Sequence, residues 1–242
     1  MVIFLSSSPC VEGSGAMNPL NGFAKALKEA LPEPCRCLFL CSSPDDVAAT
    51  ERHAYEMKHN FEISGHSFIT YDILDRRNQE QRKELIQEAD FLVLAGGHVP
   101  TQNDFFKEIG LRTLLKEFKG VVLGISAGSM NSADLVYVHP ELPSETRFSE
   151  TERFRKGLGL TKTMILPHYQ MIKNDVLDGL RLFEDVAYRD SMGRQFLCLV
   201  DGSYLYIQDG IEELRGEAYQ IKDGMLSLFC REGESRILTK ED

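Results

Sequence analysis

The chain is short of basic side chains. Across 242 residues, 27 lysines and arginines stand against 37 acids, a formal net charge of −10. That deficit argues against nucleic acid or an anionic membrane surface as the main partner, since both are held by positive potential. Long hydrophobic runs are missing too. The apolar stretch at the N-terminus, Val2–Leu5, is only four residues long and has no basic flank, too little for a signal peptide or a membrane span. The six cysteines form no C-x-x-C pair and the six histidines no H-x-x-x-H, so no metal site is expected. The cysteines read instead as reduced, mostly buried thiols of a cytoplasmic protein. No internal repeat or low-complexity tract is present, and collagen, coiled coil and disorder are excluded by composition.

What is there has the balance of a globular protein, with 43% hydrophobic and 26% charged residues. The length suits one α/β domain over residues 1–242, with a core large enough to need no staples. Short apolar runs recur at Val2–Leu5, Cys37–Cys41, Phe68–Tyr71, Phe91–Ala95, Val121–Ile125, Met164–Leu166 and Phe196–Val200. Most lack apolar/polar alternation, as strands buried on both faces do. Between them lie single apolar stripes at helical spacing: Leu20, Phe23, Ala24, Leu27 and Leu31, then Leu111, Leu114, Leu115 and Phe118. Strand and helix in repeated alternation predict right-handed crossovers and a three-layer α/β sandwich around a mostly parallel sheet. From about residue 203 the texture changes. Asp209-Gly210 and Asp223-Gly224 sit between strand-like runs and predict antiparallel hairpins extending that sheet. The stretch Pro140–Lys156 is polar with little periodicity and reads as a surface loop or lid, its interleaved charges as a solvated face.

The most informative segment is Gly124-Ile125-Ser126-Ala127-Gly128, which ends a buried strand and opens a helix. In that context G-x-S-x-G describes a nucleophile elbow. A cramped strand-to-helix turn projects the serine hydroxyl outward, and small neighbours let helix and strand approach. The plain alternative is a tight turn with a serine cap. A serine nucleophile needs a base, and the base an orienting acid. His168 is the best-placed base, directly after the run Met164–Leu166 and Pro167, where ligands bind at the carboxyl ends of strands. His98 and His139 compete. Asp201, just after Phe196–Val200, is the first choice of acid, with Asp134 and Glu141 as alternatives. The strand-end pair Gly96-Gly97 allows close backbone approach, so the Gly97 and Ala127 N–H groups are assigned as an oxyanion hole. His98 adjoins that loop and is expected to touch substrate. Gly13-Ser14-Gly15 lacks the third glycine of a dinucleotide fingerprint and reads as a loop.

The order serine, histidine, acid differs from the serine, acid, histidine of α/β-hydrolases. With a Gly-Gly loop upstream, it resembles the peptidase E and cyanophycinase family of serine peptidases, whose fold is similar to class I glutamine amidotransferases. The resemblance runs over most of the chain and rests on Ala95-Gly96-Gly97, Gly124–Gly128, Leu166-Pro167-His168-Tyr169 and Val200-Asp201-Gly202-Ser203. His98 stands where that family often has asparagine, Val99-Pro100 lengthens the loop, and Asp201 replaces a glutamate. The resemblance implies hydrolysis of short peptides through Ser126, His168 and Asp201 with no metal or organic cofactor, and in peptidase E itself a preference for aspartyl dipeptides. No motif here identifies the basic group such a preference needs. Two other readings stand beside it: an amide or ester hydrolase with the same triad, and a non-catalytic binding protein on the same fold. A nucleotide-binding flavodoxin-like module would rest on fold analogy alone.

Overall fold

A computed structural model describes residues 1–239. Its strands are β1 (Val2–Ser6), β2 (Cys35–Leu40), β3 (Phe68–Leu74), β4 (Phe91–Leu94), β5 (Val121–Ile125), β6 (Leu135–Tyr137), β7 (Phe154–Lys156), β8 (Met164–Leu166), β9 (Val176–Leu177), β10 (Leu180–Arg181), β11 (Gln195–Leu199), β12 (Tyr204–Gln208), β13 (Ile211–Arg215), β14 (Ala218–Lys222), β15 (Met225–Cys230) and β16 (Ser235–Ile237). Eight of them form a central sheet in the order β16-β13-β12-β1-β5-β4-β2-β3. The segment β1-β5-β4-β2-β3 is parallel, and β12, β13 and β16 add to it antiparallel.

The apolar runs lack alternation because both faces of this sheet are covered. Successive side chains on a strand point to opposite faces. Ile3, Leu5, Leu38, Leu40, Leu92 and Leu94 enter one core with Phe105 and Phe106 of helix Val99–Glu108. Phe4, Cys37, Phe39, Phe91 and Val93 enter the other, against Phe23 and Leu27 of helix Phe23–Ala30 and Phe61 of helix Val47–Ile63. The three-layer expectation therefore holds. In the second stripe Leu111, Leu115 and Phe118 are buried and Leu114 partly so, although the α-helix covers only Leu111–Leu114. All six cysteines are unpaired, and five are buried. Among the described residues no helix is long and apolar enough to cross a membrane.

Two expectations need correction. The runs at Met164 and Phe196 are strands, but β8 and β11 lie in a second sheet of order β15-β14-β11-β8. One face of it, carrying Ile165, Leu197 and Leu199, packs into the first core, and the other, carrying Leu166, Phe196 and Cys198, into a third with Tyr137 and Phe183. Both hairpins form on their Asp-Gly turns, with φ of 51° and 79° at Asp209 and Gly210 and of 49° and 77° at Asp223 and Gly224. Only β12–β13 extends the central sheet, since β14 pairs with β11. The second correction concerns residues 140–156. This stretch carries helix Glu150–Arg153 and strand β7, which pairs with β6. Its charges are not all solvated: Arg153 and Glu145 are buried, and Arg153 reaches Asp190 at 3.3 Å, the Val138 carbonyl at 2.9 Å and the Glu145 carbonyl at 2.7 Å.

Candidate active site

The carboxyl ends of strands from both sheets meet at one place. β5 delivers Ser126, β4 delivers Gly96-Gly97, β8 leads to His168 and β11 to Asp201. Ser7, directly after β1, ties them together.

Ser126 holds φ 49° and ψ −109°, a conformation that costs a non-glycine residue on the order of 1–3 kcal/mol. Its surroundings enforce it. The Ser126 N–H donates to the Ser6 carbonyl at 3.1 Å, and the buried Ser129 hydroxyl donates to that carbonyl at 2.8 Å. The flanking glycines serve close approach. A Cβ at Gly128 would lie 2.2 Å from the Leu94 carbonyl oxygen, and one at Gly124 2.9 Å from the Ser129 nitrogen. Gly97 has φ 144° and would drive a Cβ to 2.3 Å from Ser42 Oγ. The N–H groups of Gly97 and Ala127 donate to no backbone acceptor among the described residues. Helix Val99–Glu108 begins directly after His98 with Pro100 in its first turn, so Val99-Pro100 does not lengthen the loop. That helix is locked to the one after Ser126 by buried amides. Asn131 donates to the Val99 carbonyl at 3.1 Å and to Gln102 Oε1 at 3.0 Å, and Gln102 donates to the Ala95 carbonyl at 2.8 Å.

His168 Nδ1 and Asp201 Oδ1 lie 2.7 Å apart. The shorter acid therefore still reaches the imidazole. Ser7, fully buried, donates to the same Oδ1 at 2.6 Å and accepts the His168 N–H at 2.7 Å. Gln170 donates to Asp201 Oδ2 at 2.5 Å and accepts the Asp201 N–H at 3.1 Å. Burial on its own raises the Asp201 carboxyl. The hydrogen bonds from His168 and Ser7, the His168 charge and the Gln170 amide outweigh it and hold the group below its ordinary value. His168 itself has φ 58°, which turns the chain sharply after β8.

Ser126, His168 and Gly97 line one cavity of about 420 Å³. Among the described residues the Ser126 hydroxyl makes no hydrogen bond to His168. Among the competing residues, His139 and Glu141 also line the cavity and Asp134 does not; its carboxylate binds Arg112 at 2.6 Å. His139 is buried, and both its ring nitrogens lack partners. Burial, with the nearby Arg153 charge, pushes it down to about 4, so it is neutral. His98 is outside the cavity lining, with its ring nitrogens on Thr101 Oγ1 and Glu145 Oε1, each at 2.7 Å. Through Glu145 it braces residues 141–145.

Ser7, Gln170, Gln102 and Asn131 escaped the sequence reading. For Ser7 a signal existed: a polar Ser6-Ser7-Ser8 triplet directly after a buried strand, at the end where ligands bind. Among the described residues no cluster of three or more histidine, cysteine or acidic side chains could hold a metal ion.

The sequence profile of peptidase family S51 matches residues 39–214. The fold is similar to that of a peptidase from an acI-B1 Actinobacterium, at 17% identity and a TM-score of 0.70 over 98% of this chain and 96% of that one. It is also similar to a candidate peptidase E protein from Listeria monocytogenes EGD-e, at 15% identity and a TM-score of 0.58 over 94% and 98% of the two chains. No curated protein sequence matches the chain closely enough to count as a relative.

Proposed function

The chain belongs to peptidase family S51, and from that premise we propose that this serine peptidase hydrolyses short peptides through a Ser126-His168-Asp201 triad and an acyl-enzyme. One observation carries the assignment of residues: the 2.7 Å bond between His168 Nδ1 and Asp201, with His168 and Ser126 on the wall of one cavity. Asp201 accepts from Nδ1–H and so leaves Nε2 as the basic nitrogen. The Ser126 hydroxyl attacks the scissile carbonyl and its proton passes to Nε2, while the carbonyl oxygen gains negative charge and is met by the Gly97 and Ala127 N–H groups. Collapse of the tetrahedral adduct breaks the C–N bond, and Nε2–H protonates the departing amine. Water then attacks the ester, His168 again taking and returning a proton, and releases the acid and free Ser126. The Ser126–Nε2 hydrogen bond closes when substrate fills the cavity, as catalytic bonds that are long in a free enzyme commonly do.

A cavity of about 420 Å³ favours one or two residues over a folded protein. The test is Ser126→Ala. It should fold with unchanged thermal stability, lose labelling by a fluorophosphonate and lose hydrolysis of a dipeptide panel. Full activity in that variant would remove the triad.

A further inference from the structure

The cavity beside Ser126 and His168 holds no lysine or arginine, but it does hold two carboxylates, Glu141 and Asp175. Neither side chain makes a hydrogen bond or ion pair with a described residue. The Glu141 backbone N–H is anchored on Glu145 at 2.7 Å and the Asp175 N–H on the Ile172 carbonyl at 3.0 Å, so the main chain is fixed while both carboxylates stay unpartnered. Other acids packed nearby are engaged: Glu145 with His98, Asp190 with Arg153, Asp201 with His168. A second observation comes from the wall itself. His139 is buried there with two unsatisfied ring nitrogens, and as a neutral imidazole it offers one of them as an acceptor. Orphaned buried polar atoms are uncommon, and a ligand is one thing that satisfies them. The remainder of the lining includes Met130, Leu166, Leu177 and Leu182, apolar surface suited to methylene groups.

We propose that this cavity selects a cationic group on an aliphatic stem, the side chain of a lysine or arginine residue next to the scissile bond, in place of the carboxylate side chain that peptidase E accepts. The inference rests on the serine peptidase reading above. The apolar walls take the stem, and Glu141 and Asp175 take the charged head. An aspartyl side chain would meet two like charges and no cation. Lysine and arginine differ from norleucine only in the head group, so the comparison isolates the charge. Loss of water around the Glu141 carboxyl, reinforced by Glu145, raises it to about 7 against the opposing pull of His98 and His168, although the residue as a whole is exposed. With Asp175 lining the same space, preference for the cation rises as pH increases through about 7, as Glu141 ionises and adds its charge.

The test measures kcat/KM for X-Ala and Ala-X dipeptides with X lysine, norleucine or aspartate, each with a free or acetylated N-terminus, at pH 6 and pH 8. At one of the two positions lysine should exceed norleucine by about tenfold and aspartate by about a hundredfold at pH 8. The lysine advantage should shrink at pH 6 and fall towards parity in a Glu141→Gln, Asp175→Asn double variant. A preference that disappears on acetylation assigns the cation to the peptide α-ammonium and overturns the side-chain assignment. Equal rates for lysine and norleucine, or aspartate preferred, in enzyme still labelled at Ser126 by a fluorophosphonate overturn this inference and leave the serine peptidase reading intact. Absence of both labelling and hydrolysis overturns the two together.

Discussion

Replacing Ser7 by alanine removes the bridge between the two sheets without touching the cavity. In the native chain the Ser7 hydroxyl donates to Asp201 Oδ1 at 2.6 Å and accepts the His168 N–H at 2.7 Å. The first is a hydrogen bond to an ionised group, contributing about 1.5–3 kcal/mol; the second, once lost, leaves a donor unsatisfied at a cost of about 1–3 kcal/mol. Both act on one turn, so they do not add fully, and a net loss of about 2–4 kcal/mol is expected. For a chain of this length that is a fall in Tm of about 5–15 °C, readable by calorimetry. The catalytic consequence is separable. Ser7 does not line the cavity, so KM should hold while kcat falls about 10–100-fold as His168 drifts from its place. Ser7 is also one of the donors that hold the Asp201 carboxyl low. Without it that carboxyl rises, and activity should fail at a higher pH on acidification than in the native enzyme. Ser7→Thr, which keeps the hydroxyl, should restore the acid limb whatever its methyl group does to stability. A Ser7→Ala enzyme with kcat within about twofold of native and an unshifted acid limb would refute the positioning role, since a merely structural residue would move Tm alone.

Two further outcomes follow from packing and burial. Gly128→Ala places a methyl group 2.2 Å from the Leu94 carbonyl oxygen, a backbone atom that cannot step aside. Urea denaturation should show a loss of about 3 kcal/mol or more, and a loss under about 1 kcal/mol would mean the helix is not pressed on β4. For His139, the buried ring stays neutral down to about 4, below the ordinary 6.5. Below that ordinary value the unfolded chain takes up the proton first. Stability is therefore complete above pH 6.5 and lost as pH falls towards 4, by about 2–3 kcal/mol. In His139→Gln, the difference in denaturation free energy between pH 7 and pH 4.5 should shrink by about that amount; an unchanged difference would show that His139 is not buried as a neutral ring.

How far the sequence reaches depends on the range of the interaction that decides each feature. Strands β1, β4 and β5 could be read because burial on both faces leaves a local mark, a short run with no alternation. The same mark at Phe196 misled, since Phe196-Leu197-Cys198-Leu199 is buried on both faces in the second sheet just as it would be in the first. Sheet membership is settled by pairing with Ala218–Lys222 across a hairpin, which no local period encodes. The triad candidates were legible for a related reason. G-x-S-x-G marks a turn that only small residues permit, and His168 and Asp201 each follow a buried run at the end where parallel strands bind ligands. Asn131 carries no such mark and the Ser6-Ser7-Ser8 triplet only a weak one, because serine and asparagine beside a strand or helix end read as ordinary turn or cap residues until their distant partners are known. Residues 140–156 show the same limit in electrostatics. Alternating charges look solvated in sequence, yet Arg153 is buried because Asp190 and two carbonyls meet it from elsewhere in the fold. Glu141 and His139 are the sharpest case. Their residue types drew them in as rivals for the acid and the base. The structure instead gives His168 to Asp201 and leaves both of them unpaired on the cavity wall. A titratable side chain visible in sequence can thus be placed at a cavity while its pairing is decided by distant parts of the fold. Here Asp201 takes the imidazole, and the groups left over line the adjoining cavity.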